Sequence, residues 1–548
     1  MIADPQTTRV GFFNLADGFQ IHPPAWNDVA KQFLDANLIA LLVRMHREFE
    51  SERQRLLRQR KERQAEYDRG ALPAFECTHT AALEPGWRVA SIPPELQTRR
   101  VEITGPVNNP KMVINMLSRT AEGHRADTAM LDFEDSMKPT WSNVMNGVSN
   151  LVSAVHLSLD HRESGKHYRL DPSDTAVVMT RVRGLHLNES NIRIDRHPMS
   201  AGLFDLVTTF YHTAATLLDQ GKTPIYYIPK TEHYLEARWW NALFTAVQEA
   251  MGIPAGTLRA TFLIETLPAA FQMEEILFEF KNHAAGLNVG RWDKIFSDIK
   301  ILREHPDRVL ADRGSIHLDR PWMMNYAKRL IKICHRRGAY AIGGMSAFTP
   351  GRTPEDRAAQ TAKVKSDKLL EASMGHDGCW VSHPYFIGHA MSAFTRDHQL
   401  DVRLEDFPLQ PDLIPKPDGP KTMAGLRKNV RVGIAYMKGW NEGIGCVAWD
   451  GLMEDLATLE ISRTQVWQWL RHGVTMDDGL RCTADLVRTT FDEELQRIEQ
   501  ELQSNTAVPR DRMELELNLF RRARIDAEKE FLRREFKDYL AVDSELEN

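Results

Sequence analysis

No stretch of this sequence approaches the ~18 consecutive apolar residues that a membrane-spanning helix needs. The opening "MIADPQTTRVGFFNL" lacks the basic region and apolar core of a secretory leader, and the closing "SELEN" is not a recognised peroxisomal or retention address. A cytoplasmic location without a membrane partner is therefore expected. Cysteine is scarce: Cys77, Cys334, Cys379, Cys446 and Cys482 are odd in number, far apart and free of any C-x-x-C pair. That spacing argues against a disulfide framework and a zinc cluster, and for reduced thiols. Excess charge of either sign is also missing, since 69 Lys and Arg against 75 Asp and Glu leave a net −6. No general attraction for nucleic acid or anionic lipid follows, so no nucleic-acid partner is expected and any phosphate-bearing ligand must meet a local patch.

What is present is length and periodicity. A chain of 548 residues has room for two or three domains of about 100–200 residues. Residues 36–69 carry apolar positions at helical spacing with acids and bases interleaved, and read as one or two helices with a solvated face rather than as an Arg-rich nucleic-acid patch. From residue 101 onward, short apolar or β-branched runs alternate with helical segments: "VEITG" (101–105), "AMLDFE" (129–134), "AVVMTRV" (176–182), "PIYYIPK" (224–230), "RATFLIE" (259–265), "AAGLNVG" (284–290), "YAIGGM" (340–345) and "GCWVSHP" (378–384). Eight such runs predict an α/β fold, a (β/α)8 TIM barrel. The stretch 407–421 is rich in proline and reads as an extended linker, not part of a packed layer. Beyond it the periodicity is helical almost throughout, with no convincing strand. The expected organisation is an N-terminal helical segment (1–95), the barrel (96–400), the linker (401–421) and a C-terminal all-helical domain (422–548).

A barrel places its chemistry at the C-terminal ends of its strands. Charged residues gather there: Glu134 and Asp135 after the second run, Arg181 and Arg183 at the third, Lys230 at the fourth, Glu265 at the fifth, and Asp293 just beyond the sixth. Glu265 and Asp293, on neighbouring strands, offer two oxygen ligands with open positions, a set that suits Mg²⁺ better than zinc. His283, His376 and His383 resemble no zinc motif and read as structural. The amides of Gly290, Arg291 and Trp292, at a glycine turn opening a helix, form a candidate nest for a carboxylate or phosphate. Arg181 has the charge and planar donors to stabilise an enolate oxygen, and a salt bridge to Glu134 or Asp135 is compatible with that role. In the C-terminal region Glu454 and Asp455 fall in the expected first turn of a helix, where the dipole favours acids in any case. A general base delivered from there onto the barrel mouth is the functional reading.

These residues resemble the malate synthase family, in its shorter A-type form. The family signature is met by "KNHAAGLNVGRWDKIF" (281–296) except at Lys294, where the family has Tyr. Further matches are "RRVEITGPVNNPKMVIN" (99–115), "LDFEDSMKPTW" (131–141), "HDGCWVSHP" (376–384) and "LMEDLATLEISRTQVWQWL" (452–470). The resemblance implies a TIM barrel with a C-terminal helical plug, acetyl-CoA and glyoxylate as substrates, and Mg²⁺ as cofactor. It further implies Glu265 and Asp293 as metal ligands, Arg181 as the enolate-stabilising group, Asp455 as catalytic base, and the amides of 290–293 as the seat of the glyoxylate carboxylate. Glu134, Asp135 and Glu454 are candidates for supporting roles. The chain departs from the family pattern at Lys294, at "RVRGLHL" (181–187) and at "AWDG" (448–451), which leaves open a different 2-oxo acid acceptor. Two further readings stay open beside it, a lyase that forms or cleaves malyl-CoA without hydrolysis, and a non-catalytic paralogue that binds CoA esters.

Overall fold

The computed structural model describes residues 11–504 and 509–547; of the expected terminal segments, residues 1–10, 505–508 and 548 lie outside the described residues. All eight runs are parallel strands: β1 Val101–Pro106, β2 Thr128–Asp132, β3 Val177–Arg181, β4 Ile225–Ile228, β5 Arg259–Ile264, β6 Ala284–Val289, β7 Tyr340–Ser346 and β8 Gly378–Val381. They close in sequence order, β8 pairing with β1. Helices cover the outer face and side chains fill the interior, so strands such as β5 and β6 are buried at every position. Met130, Met179, Tyr227, Leu263 and Ile342 pack inside as a core rather than a pore.

The N-terminal segment contains one long helix, α1 (Ala36–Asp68), capped by Asp35, whose carboxylate accepts from Asn37 N and Leu38 N at 2.9 Å. Two of its arginines turn inward. Arg53 donates to Leu185 O at 2.7 Å, and Arg60 to Lys230 O at 2.8 Å and to both oxygens of Glu236. The segment is not purely helical as expected: Phe13–Ala16 and Phe19–Ile21 form a hairpin that joins Asn188–Ile194 and His197–Ser200 in a four-stranded sheet. Its Asp17-Gly18 turn, with Gly18 at φ 76°, is the local signal that makes a hairpin there.

Two barrel-layer helices bear on the site, α2 (Arg291–Ile301) and α3 (Pro321–Arg337). The proline-rich stretch has neither helix nor strand, yet it is packed: Leu413 is buried, and Leu409 O accepts from Arg329 Nε of α3 at 2.9 Å. Beyond it come α4 (Met423–Asn441), α5 (Leu456–Arg471), α6 (Ala484–Ser504) and α7 (Arg510–Phe531), which share their own apolar cluster. The all-helical expectation is corrected at one point. Val447–Trp449 and Leu452–Glu454 form an antiparallel hairpin, with Asp450 and Gly451 both at positive φ, the backbone twist that two-residue hairpin turns require. The segment after α7 returns to the barrel, where Tyr539 stacks on His186 at 4.0 Å and Ser544 N donates to Asn188 O. Among the described residues no helix is long and apolar enough to cross a membrane.

Candidate active site

Polar strand ends converge on a cleft of about 680 Å³, open mouth included, lined by Asp135, Arg181, Glu265, Arg291, Trp292, Asp293 and Asp455 beside the apolar Pro106, Met345, Trp380 and Met453. β2 ends on Asp132, whose carboxylate accepts from Arg181 Nε and Nη2 at 2.7 and 2.6 Å and from the amides of Glu134 and Ser136 at 2.8 and 2.9 Å. One buried acid thereby fixes both the guanidinium plane and the turn that carries Glu134 and Asp135. Arg181 Nη1 makes no hydrogen bond among the described residues; it lies 3.6 Å from Glu134 Oε2 and 3.5 Å from Asp135 Oδ2. The Trp380 ring sits 5.8 Å from the guanidinium carbon.

Lys230, at φ 50°, follows β4 in the left-handed region that an unbranched residue adopts only when its surroundings hold it there. Its amide donates to Glu265 Oε1 at 2.7 Å, while its ammonium reaches Glu134, Asp135 and Asp293 at 2.8, 2.7 and 3.1 Å. Gly290 must be glycine, because a Cβ there would lie 2.5 Å from Glu265 Cβ. It caps α2, and Asp293 in the first turn faces the cleft. Asp455 is the N-cap of α5, accepting from Thr458 N at 3.3 Å. The hairpin before it is stitched to the segment after β7 by Met453 N to Ala347 O (2.7 Å) and Thr349 N to Gly451 O (3.0 Å), and Leu456 N reaches Asp135 O at 3.3 Å. An acid from the C-terminal region is thus set over the barrel mouth by backbone bonds.

Charge in this volume is unbalanced. Six acids (Asp132, Glu134, Asp135, Glu265, Asp293 and Asp455) surround Arg181 and Lys230, while the third cation of the lining, Arg291, lies 3.6 Å from Asp367. Burial and then the neighbouring Asp135 push the Glu134, Asp293 and Asp455 carboxyls upward, Asp455 to about 7. Burial raises Glu265 as well, against the pull of Lys230. Asp135 is held below its usual range, because Lys230 and Arg181 together outweigh its burial. Glu265 Oε2 is buried without a hydrogen-bond partner, and Asp293 Oδ1 has only the Lys230 ammonium beside it, at 3.1 Å. These two oxygens, in an acid-rich cleft, suit a hard divalent cation that takes its remaining oxygens from water and substrate. Among the described residues no group of three or more His, Cys, Asp or Glu has metal-binding geometry.

Models of three malate synthase domains match the chain: the N-terminal domain over residues 27–79, the TIM barrel domain over 177–410 and the C-terminal domain over 420–545. Malate synthase A of Escherichia coli K12 is 43% identical over 485 residues, covering 87% of this chain and 90% of the relative. Malate synthases of Myxococcus xanthus DK1622 and Streptomyces clavuligerus are each 45% identical, covering 87% and 85% of this chain and 88% and 87% of their own lengths. The chain belongs to the malate synthase family. The match to the malate synthase barrel model begins at residue 177, so β1 and β2, with Asp132, Glu134 and Asp135, lie between the matched domains.

Within this malate synthase fold, Arg181, Glu265, Arg291, Trp292, Asp293 and Asp455 line one cleft as the sequence reading expects, Asp135 lines it with them, and Glu134 pairs with Arg181 and Lys230. Several expectations need correction. The Gly290 amide is already taken by the Tyr326 hydroxyl at 3.1 Å, leaving the next amides of α2 for an anion. The expected ion pairs of Arg181 with Glu134 and Asp135 are present, but its hydrogen bonds go to Asp132. Arg183 points out of the barrel to Asp205 and Glu189. Glu454 ends a strand rather than opening the helix, and is turned away to Arg313 at 2.8 Å. Lys294 adds no cation to the cleft: one residue on from Asp293 is about 100° around a helix, and its ammonium pairs with Asp298, fully buried. Sequence reasoning gave Lys230 no role although it marked the strand end, and missed Asp132, inside an apolar run, and Tyr326, in an ordinary amphipathic helix.

Proposed function

We propose that the chain catalyses the malate synthase reaction: condensation of acetyl-CoA with glyoxylate and hydrolysis of the malyl-CoA formed to malate and CoA, with Mg²⁺ as cofactor. The observation that carries this reading is the convergence of Asp455, Arg181, Glu265 and Asp293, from three barrel strands and the C-terminal region, on one cleft. In this proposal Asp455, as carboxylate, removes a proton from the acetyl methyl, and its raised affinity for protons makes it a stronger base than an exposed aspartate. Arg181 donates from Nη1, the nitrogen that Asp132 leaves free, to the enolate oxygen. The amides of Arg291 and Trp292 hold the glyoxylate carboxylate at the start of α2. Glu265 and Asp293 would hold Mg²⁺, which when bound supplies Lewis acidity toward the aldehyde. Lys230 holds Glu134 and Asp135 and keeps the acid-rich wall together without metal. Attack of the enolate carbon on the aldehyde makes the new carbon–carbon bond, and water then cleaves the thioester, releasing CoA thiol.

The domain division proposed with it runs from a segment ending at residue 95, through barrel (96–400) and linker (401–421), to the base-bearing region from 422. The proposed setting is the cytoplasm; among the relatives, those from Zea mays and Ricinus communis are named glyoxysomal. The deciding assay follows thiol release and product by mass spectrometry with acetyl-CoA, glyoxylate and other 2-oxo acids, with and without Mg²⁺. Free malate and CoA, lost on chelation, are expected. Accumulating malyl-CoA would point to the lyase, preference for a larger 2-oxo acid would overturn the acceptor, and no turnover at all would leave the CoA-ester-binding paralogue.

A further inference from the structure

The two carboxylates proposed to hold the metal sit one step past β5 and three steps past the turn that ends β6. The β5–β6 ladder runs in parallel register to its last pair, Ile264 and Val289. In such a register the next bond of the ladder joins Gly290 N to Ile264 O. That bond is replaced. The Tyr326 hydroxyl, from the middle of α3, accepts from Gly290 N at 3.1 Å and donates to Ile264 O. One oxygen is therefore inserted between two strand ends at the residue before Glu265 and at the cap before Asp293. Just beyond this point lie Glu265 Oε2, buried without a hydrogen-bond partner, and Asp293 Oδ1, whose one near cation is the Lys230 ammonium at 3.1 Å. Ile264 is buried, whereas Gly290 is partly exposed at the cleft wall. The Tyr326 ring is held from behind by the buried Lys294–Asp298 pair, the ammonium 5.7 Å from the ring centre.

We infer that Tyr326 is a positioning residue for the divalent cation: its hydroxyl bridges the ends of β5 and β6 and sets the separation of the Glu265 and Asp293 carboxylates. The inference rests on the metal assignment proposed above and gives it a mechanical cause. Loss of the hydroxyl leaves Gly290 N and Ile264 O either unpaired or bonded directly to each other, and both outcomes move the two carboxylates relative to one another. Lys294 acquires a place in this arrangement as support for the ring, behind the cleft rather than in it.

The test is Mn²⁺ binding to the substrate-free protein, read by electron paramagnetic resonance of free Mn²⁺, on wild type, Tyr326→Phe, Glu265→Gln and a variant with 3-fluorotyrosine at 326. Tyr326→Phe is expected to weaken Mn²⁺ about 10–100-fold, as loss of groups that orient metal ligands does; the fluorotyrosine variant, which keeps the hydroxyl, should stay within about twofold of wild type by the same reasoning. Thermal unfolding of the metal-free proteins is recorded alongside. A Tyr326→Phe protein that melts lower but binds Mn²⁺ as wild type does, while Glu265→Gln binds poorly, overturns the positioning role and leaves the metal assignment standing. Unchanged binding in Glu265→Gln overturns the metal assignment and the inference with it. If Tyr326→Phe does not fold, the fluorotyrosine variant decides, since weakened binding there despite a retained hydroxyl also overturns the role.

Discussion

Glu265 and Glu232 are both buried glutamates at the mouth of the same barrel, yet their carboxyls behave oppositely. Glu232 is met by Lys300 at 2.7 Å and Arg60 at 3.5 Å, and although burial pushes it up, those cations hold it at about 2. Nearby Glu236 takes both arms of Arg60. In that network, under α1, acids and bases are matched, and it fastens the N-terminal helix to the barrel. A few residues away, Glu134, Glu265, Asp293 and Asp455 share Lys230 and Arg181, and all four are raised. Burial is the same; the ratio of cations to acids differs. Matched charge makes a joint, whereas a surplus of acid around a cleft makes a place for a proton or a cation to come and go.

The comparison breaks first at Asp455. Asp455→Asn is expected to lower kcat by about 10²–10⁴, and wild-type kcat/KM for acetyl-CoA should rise as pH climbs toward about 7, where the carboxylate form appears. A pH profile unchanged in the variant would remove Asp455 as the base. A carboxyl raised in the folded state stabilises fully below its unfolded value, and that contribution is lost as pH rises through about 7. The inactive variant should therefore be the more stable protein at pH 8, by up to about 4 kcal/mol from the size of the shift, in urea unfolding.

Next in expected effect is Asp293→Asn, which should raise the Mg²⁺ concentration for half-maximal turnover by about 10–100-fold; an unaltered Mg²⁺ titration would take Asp293 out of the metal site. In the matched network the pattern reverses. Lys300→Met should cost about 3–5 kcal/mol of stability by leaving Glu232 short of a partner, while kcat stays within about threefold because no contact to the cleft is lost. A large kcat loss at unchanged stability would mean that the two networks act as one. The smallest change is expected for Lys294→Met: preference among 2-oxo acids, measured as relative kcat/KM, should match wild type, since the side chain lies outside the cleft.

Much of the site was legible because strand ends are local features. Runs such as "RATFLIE" and "PIYYIPK" announce both the strand and the residue that ends it, so Glu265 and Lys230 stand out as charges that close apolar runs, with Asp293 just beyond another. Lys294 misled for the same local reason: adjacency in sequence suggests adjacency in space, and a helix turns neighbours apart. The short N-terminal and C-terminal hairpins were hidden by length, since strands of three or four residues carry too little alternation to be told from loops.

By itself the sequence determined the eight-stranded barrel, the helical character of most of what flanks it, and which strand ends bear charge, because periodicity and strand length are written within each segment. Only the tertiary structure decided that Asp132 owns Arg181, that Glu454 faces away while Asp455 faces in, and that the Tyr326 hydroxyl stands between β5 and β6. Each depends on residues distant in the chain meeting at a hydrogen-bonding distance. No run of sequence encodes such a meeting, because the closure of the barrel and the docking of the C-terminal region bring the partners together.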